Sequence, residues 1–309
     1  MTEWPTLAAA GAARAGDRES MTTMYKNYWL NNRIARVVIF CVLAVSSVAC
    51  QAAPQVIRIA LRDGVQADAS QITDYPTALN AILRVLAVKF ALPIPPFHTM
   101  EIYPTREEFE GALINELKFK PEIARTTSEF AKAAVGNSKV LVNEAVMAKS
   151  EWPERILTLA HELVHTMQAD LADFHSLVRN QWLVEGFAEW VAFQVTGTLG
   201  LEDVAKARAR MIGDVREVRR SGPLPALRQM DSLEQWILTR NERGFNATYP
   251  YVFLITDYLV ERHSYPKAVD YFRRFGASED HVANFKAAFG EDLDNFQAVL
   301  DRHFAKLLE

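Results

Sequence analysis

The sequence predicts an α+β fold, a small mixed sheet early in the chain followed by helices to the end. Three observations carry this expectation. Residues 56–61, 99–103 and 139–143 read as short strands, with helical periodicity between them. After Thr196 the apolar spacing is helical throughout. Between these regions lie two apolar segments, residues 152–167 and 182–190, that hold the imidazoles and carboxylates most suited to chemistry.

The first 52 residues read as leader and signal peptide. Arg33 and Arg36 precede residues 37–49, an apolar run of 13. That run is too short for an ordinary membrane span but suits the hydrophobic part of an export signal behind a basic flank. Small residues at Ser47 and Ala49 fit cleavage, Ala52 is another end point, and Met21 or Met24 are alternative starts. Ser47-Val48-Ala49-Cys50 resembles a bacterial lipoprotein box but lacks the Leu usual at its first position. Lipidation of Cys50, plain cleavage and an uncleaved anchor all remain open. The expected location is therefore periplasmic, secreted or anchored facing outside the cytoplasm, with membrane contact only through this segment.

Cys41 and Cys50 are the only cysteines, so a mature chain has no disulfide, no thiol nucleophile and no thiolate metal ligand. Residues 1–50 hold a net +2 of the whole chain's −4, leaving −6 for the remainder. Nothing in that balance suggests a nucleic-acid partner.

Residues 53–197 are expected to form the α+β part. Residues 56–61 alternate as a strand, and residues 78–90 carry apolar side chains at helical spacing. Pro93, Pro95 and Pro96 break the pattern before the strand at 99–103. Thr105 and Glu108 stand in capping-box positions for a helix over 105–117. Val140, Leu141, Val142 and Asn143 belong to a further strand just ahead of the next helix.

That next helix contains His161-Glu162-Leu163-Val164-His165. Pro153 stands where a helix can begin, and Ile156, Leu159, Leu163, Val164 and Met167 follow its buried period. Residues four apart share a helix face, so His161 and His165 can point two imidazoles at one metal ion. Glu162 sits about 100° round the helix, where it can reach a water at the metal without ligating it. A catalytic zinc takes three protein ligands and leaves one position for water.

The third ligand is expected from Trp182-Leu183-Val184-Glu185-Gly186-Phe187-Ala188-Glu189-Trp190. With the H-E-x-x-H segment, it resembles the gluzincin metallopeptidases, especially families whose second helix reads W-L-x-E-G-x-A-E-aromatic. Nineteen residues separate His165 from Glu185, the spacing of the thermolysin-like branch. The resemblance implies a zincin-like fold, one Zn2+ per chain, Glu185 as third ligand and Glu162 as general base in peptide hydrolysis. Glu189, one helical turn on, is placed to hydrogen-bond the free ring nitrogen of His161. Gly186 costs about 1 kcal/mol against Ala in a helix, and close approach to the metal helix would explain it. The resemblance also implies an oxyanion donor ahead of a long helix; Tyr249 is the candidate, Tyr251 the reserve and His263 an outsider. In zincins a strand near Val140–Asn143 forms the edge on which a substrate peptide lies, although an ordinary sheet strand fits the residues equally.

Residues 198–309 are expected to form a helical half. Lys206, Arg208, Arg210, Arg216, Arg219 and Arg220 read as a solvated helix face, with a basic wall that selects acidic peptides as the sharper alternative. His98, His175, His281 and His303 have no partner pattern and read as surface or cap residues. The chain contains no G-x-S-x-G, no phosphate-binding G-x-x-x-x-G-K-[ST] and no G-x-G-x-x-G. The expected partner is a peptide or protein substrate. Two other readings stay open: a zinc-binding, non-proteolytic envelope protein, and an exported helical protein whose motif is accidental.

Overall fold

Four short strands, β1 (Gln55–Ile59), β2 (His98–Tyr103), β3 (Ala133–Gly136) and β4 (Lys139–Asn143), form a mixed sheet in the order β1-β2-β4-β3. This computed structural model describes residues 53–59, 72–95, 97–136, 139–173, 177 and 179–309. The leader, the signal-like run, Cys50 and His175 lie outside them. β2 runs parallel to β4, with Met100 opposite Val140, while β1 and β3 pair antiparallel on the outer sides.

The apolar run of β4 follows from burial on both faces. Val140 and Val142 enter the main core with Met100 and Ile102, whereas Leu141 and Tyr103 face a smaller cluster with Phe109 and Leu113. Parallel pairing of β2 and β4 demands a long crossover. It is supplied by the two helices over Arg106–Asn115 and Pro121–Phe130.

Helix starts obey local chemistry. α1 (Tyr75–Val88) is capped by Asp74, which accepts from the Thr77 N–H, with Pro76 in the first turn. α2 (Arg106–Asn115) begins with the expected capping box: Thr105 accepts from Glu108 N–H, and the Glu108 carboxylate accepts from Thr105 N–H. α3 (Pro121–Phe130) and the one-turn α4 (Glu144–Met147) have no counterpart in the sequence expectations. α5 (Trp152–Leu171) starts at Pro153's turn, and α6 (Gln181–Thr198) follows it. α7 (Val204–Ser221), α8 (Leu233–Arg243), α9 (Phe245–His263), α10 (Tyr265–Arg273), α11 (His281–Phe289) and α12 (Leu293–Leu307) complete the helical half.

The two halves share one apolar core. It runs from Ile57 and Met100 through Leu163 and Phe187 to Phe272 and Phe296. α6 is the axis of this core. Trp182 stacks on Phe296 at 6.1 Å, and Phe187 packs on Phe272 at 5.0 Å. Asn180, at a left-handed φ of 53°, ties the start of α6 down: its N–H donates to Asp231 and its side-chain amide to Tyr271. Among the described residues no helix is long and apolar enough to cross a membrane.

Candidate metal centre

α5 and α6 pack against each other and bring three donor groups together. His161 and His165 lie one turn apart on α5, and their Nε2 atoms approach to 3.0 Å. Glu185 on α6 places Oε2 3.5 Å from His161 Nε2 and 3.9 Å from His165 Nε2. These spacings match the edges of a tetrahedron: with zinc–ligand bonds of about 2.0–2.1 Å, donors sit about 3.3 Å apart. The group His161, His165 and Glu185 could therefore hold a metal ion.

The hydrogen bonds behind the imidazoles show which way their lone pairs face. His161 Nδ1 lies 2.9 Å from Glu189 Oε2, and an ionised carboxylate only accepts, so Nδ1 carries the proton. His165 Nδ1 lies 2.8 Å from Gln168 Oε1. The Gln168 amide nitrogen donates to the Val184 carbonyl at 2.9 Å, which fixes Oε1 as acceptor and His165 Nδ1 as donor. Both Nε2 lone pairs then point at one place, together with a carboxylate. Three converging acceptors repel one another unless a cation sits among them. Glu189 thus stands where its spacing puts it, and Gln168, three residues after His165 on the same helix, is a member of the centre that the motif does not single out.

Electrostatics agree with the geometry. Burial opposes a charge on His161, yet the hydrogen bonds and negative charges of Glu185 and Glu189 outweigh it and raise its affinity for positive charge. Burial alone would raise the Glu185 carboxyl, but His161, His165 and Tyr249 hold it down at about 2. Glu162 behaves differently. Burial is its largest influence and raises its pKa, with only partial relief from the two imidazoles.

Among the oxyanion-donor candidates, only Tyr249 reaches this group. Its hydroxyl donates to Glu185 Oε2 at 3.1 Å and its ring lies 5.9 Å from that of His161. It stands inside α9 rather than ahead of the long helix, because α9 starts at Phe245 and takes Pro250 into its interior. Tyr251 points elsewhere, donating to Pro225 O at 3.1 Å. His263, some 21 Å further along the helix axis than Tyr249, pairs with Glu291 at 2.5 Å.

Three expectations are corrected. Val140, Leu141, Val142 and Asn143 are not an edge: β4 is hydrogen-bonded to β2 on one side and β3 on the other, so its backbone has no free side for a peptide. Asn143 is instead a strut, its amide donating to Ser128 O and Ala131 O at 2.9 and 3.0 Å. β3 holds the edge nearer the metal helix. Gly186 is required by α9, not by the metal helix, since a Cβ there would lie 2.4 Å from Thr256 Oγ1 and 2.6 Å from Val252 O. Finally, His98 is no surface residue. It is 4% exposed, its Nε2 has no hydrogen-bond partner among the described residues, and burial pushes its pKa down to about 4.

Arg210, Arg219 and Arg220 of α7 are exposed, as a solvated face would have them, whereas Arg208 and Arg216 are held in structure. Arg208 donates to Asp257, which also accepts from Trp190 beside Glu189, and Arg216 donates to the carbonyls of Leu307 and Leu308. Comparison with known protein families, curated proteins and solved structures finds no match.

Proposed function

We propose that this protein is a zinc-dependent peptidase of the gluzincin type, working outside the cytoplasm. One observation carries the reading: two imidazole lone pairs and the Glu185 carboxylate converge within 4.8 Å, with Glu162 next to His161 on the same helix. Two nitrogens and one carboxylate are the donor set of a catalytic zinc, whereas magnesium and calcium favour oxygen ligands. When bound, zinc supplies Lewis acidity and lowers the pKa of water from 15.7 to about 7.

The chain's own residues supply the rest. Glu162 takes the proton of the attacking water and hands it to the leaving amine. Its raised pKa suits both transfers, because a base works best when its pKa lies nearer the working pH. Tyr249 stays protonated, since burial and the charge of Glu185 raise its pKa well above 10. Its single O–H, turned from Glu185 Oε2, then donates to the oxygen that gains negative charge as the carbonyl is attacked. Glu189 and Gln168 hold the imidazoles in the tautomer that faces Nε2 to the metal. An extended peptide would pair with β3, whose outer side carries no strand among those described.

The test is Glu162→Gln. It should retain one zinc per chain and lose peptide hydrolysis by about 10²- to 10⁴-fold. Cleavage at the wild-type rate would remove Glu162 from the mechanism.

A further inference from the structure

α8 carries Trp236 and Arg240 four residues apart, so both project from one face. Trp236 meets Tyr249 edge-on, with ring centroids 5.4 Å apart, which turns that face toward the metal centre. One turn on, the Arg240 guanidinium lies over the ring of Phe130, 5.6 Å from its centroid. Phe130 ends α3, three residues before the edge strand β3, and is 49% exposed. The contact therefore joins the sheet-edge side of the centre to its helical side.

Several other arginines are already spent on carboxylates. Arg179, Arg208, Arg228, Arg262 and Arg274 each pair with a carboxylate. Arg240 is half-buried, yet among the described residues it makes no ion pair and no side-chain hydrogen bond. The contact with Phe130 engages the guanidinium's charge but none of its N–H groups, so its fork is unspent and suited to bidentate capture of a carboxylate. Its charge is also felt at the centre, where it counteracts the rise in the Tyr249 pKa. Glu162, Glu185 and Glu189 surround the metal group with negative charge. An acidic substrate would be repelled there unless a cation met it.

We infer, on the peptidase reading above, that Arg240 is a specificity-determining residue that binds a carboxylate of the substrate close to the bond being cut. The preferred substrates are then anionic peptides. The carboxylate comes either from an Asp or Glu side chain or from a free C-terminus.

The experiment uses the full zinc-loaded chain and matched short peptides, with Glu or Gln fixed at each position in turn and the C-terminus free or amidated. The wild type should favour the acidic member of one pair by about tenfold in kcat/KM, mostly through KM, as a charge-assisted hydrogen bond would give. A Glu-over-Gln preference identifies a side chain as the source, and an acid-over-amide preference identifies the C-terminus. Arg240→Gln should erase the preference and Arg240→Lys should keep part of it. Equal kcat/KM for every pair in the wild type, or a preference that survives in Arg240→Gln, overturns the assignment. If no peptide is cleaved, the peptidase reading fails separately, and fluorescence anisotropy with the same peptides decides on Arg240. Tighter binding of the acidic member, lost in Arg240→Gln, supports it, and equal affinities overturn it.

Discussion

The two helices that build the centre reach it by opposite routes. α5 buries one side and presents His161, Glu162 and His165 from the other, so its chemistry is written in consecutive turns of one segment. α6 is buried on nearly every side, from Trp182 and Leu183 through Phe187 and Val191 to Val195, and Glu185 and Glu189 are its two acidic residues. Its ligand is positioned by what α6 packs against: α9 through Gly186, the aromatic core through Trp182 and Phe187, and Asp231 through Asn180. The candidate ligands on the first helix are held by helical geometry, and the candidate on the second by tertiary packing.

Mutations can break that contrast. The largest effect is expected at Gly186. Gly186→Ala puts a methyl group within 2.4 Å of Thr256 Oγ1 and 2.6 Å of the Val252 carbonyl. Overpacking of this kind costs about 1–3 kcal/mol or more, which a fall in the unfolding midpoint would register. Adding Thr256→Ala should restore only part of it, because the Val252 carbonyl remains; full recovery would show that α9 does not press on α6. Metal affinity should also fall in Gly186→Ala, since Glu185 is its immediate neighbour.

Supporting residues sharpen the comparison. Gln168→Leu removes the acceptor behind His165 and Glu189→Leu the one behind His161. Each should weaken zinc binding by about 10- to 100-fold in competition with a chelator. The Gln168 change should also loosen the contact between α5 and α6, because its amide holds the Val184 carbonyl. Affinity unchanged in either variant would remove that residue from the centre.

A further effect lies away from the metal, absent at neutral pH and developing only in acid. His98 is buried and its pKa is lowered to about 4 from an ordinary 6.5. The unfolded chain therefore binds a proton that the folded chain refuses between those values. His98 should leave stability constant above about pH 6.5, reduce it as pH falls toward 4, and add no further loss below. Denaturant midpoints at several pH values, compared with His98→Leu, check this; a stability profile identical in the variant would contradict it.

The sequence makes the local part of this picture legible. The α2 capping box, the start of α5 at Pro153 and the His161–Glu162–His165 face all depend on residues within one or two turns, where spacing determines geometry. What depends on distant partners stays hidden. α3 is polar on average and β3 is only four residues long, so β3 goes unread and the family resemblance puts the edge at β4, a place β3 in fact occupies. Pro250 reads as a helix boundary, yet at the sixth position of α9 its missing N–H forfeits only one backbone bond, and packing against α6 and α8 overrides it. Arg240 and Phe130 lie 110 positions apart in the chain, and nothing near either one announces the contact.

Metal analysis of the purified protein beside its His161→Ala variant tests the central claim most directly. About one zinc per chain, absent from the variant and retained in Glu162→Gln, is the predicted result. No bound metal and no uptake on adding zinc would contradict it, and would leave two imidazoles and a carboxylate that share a proton instead.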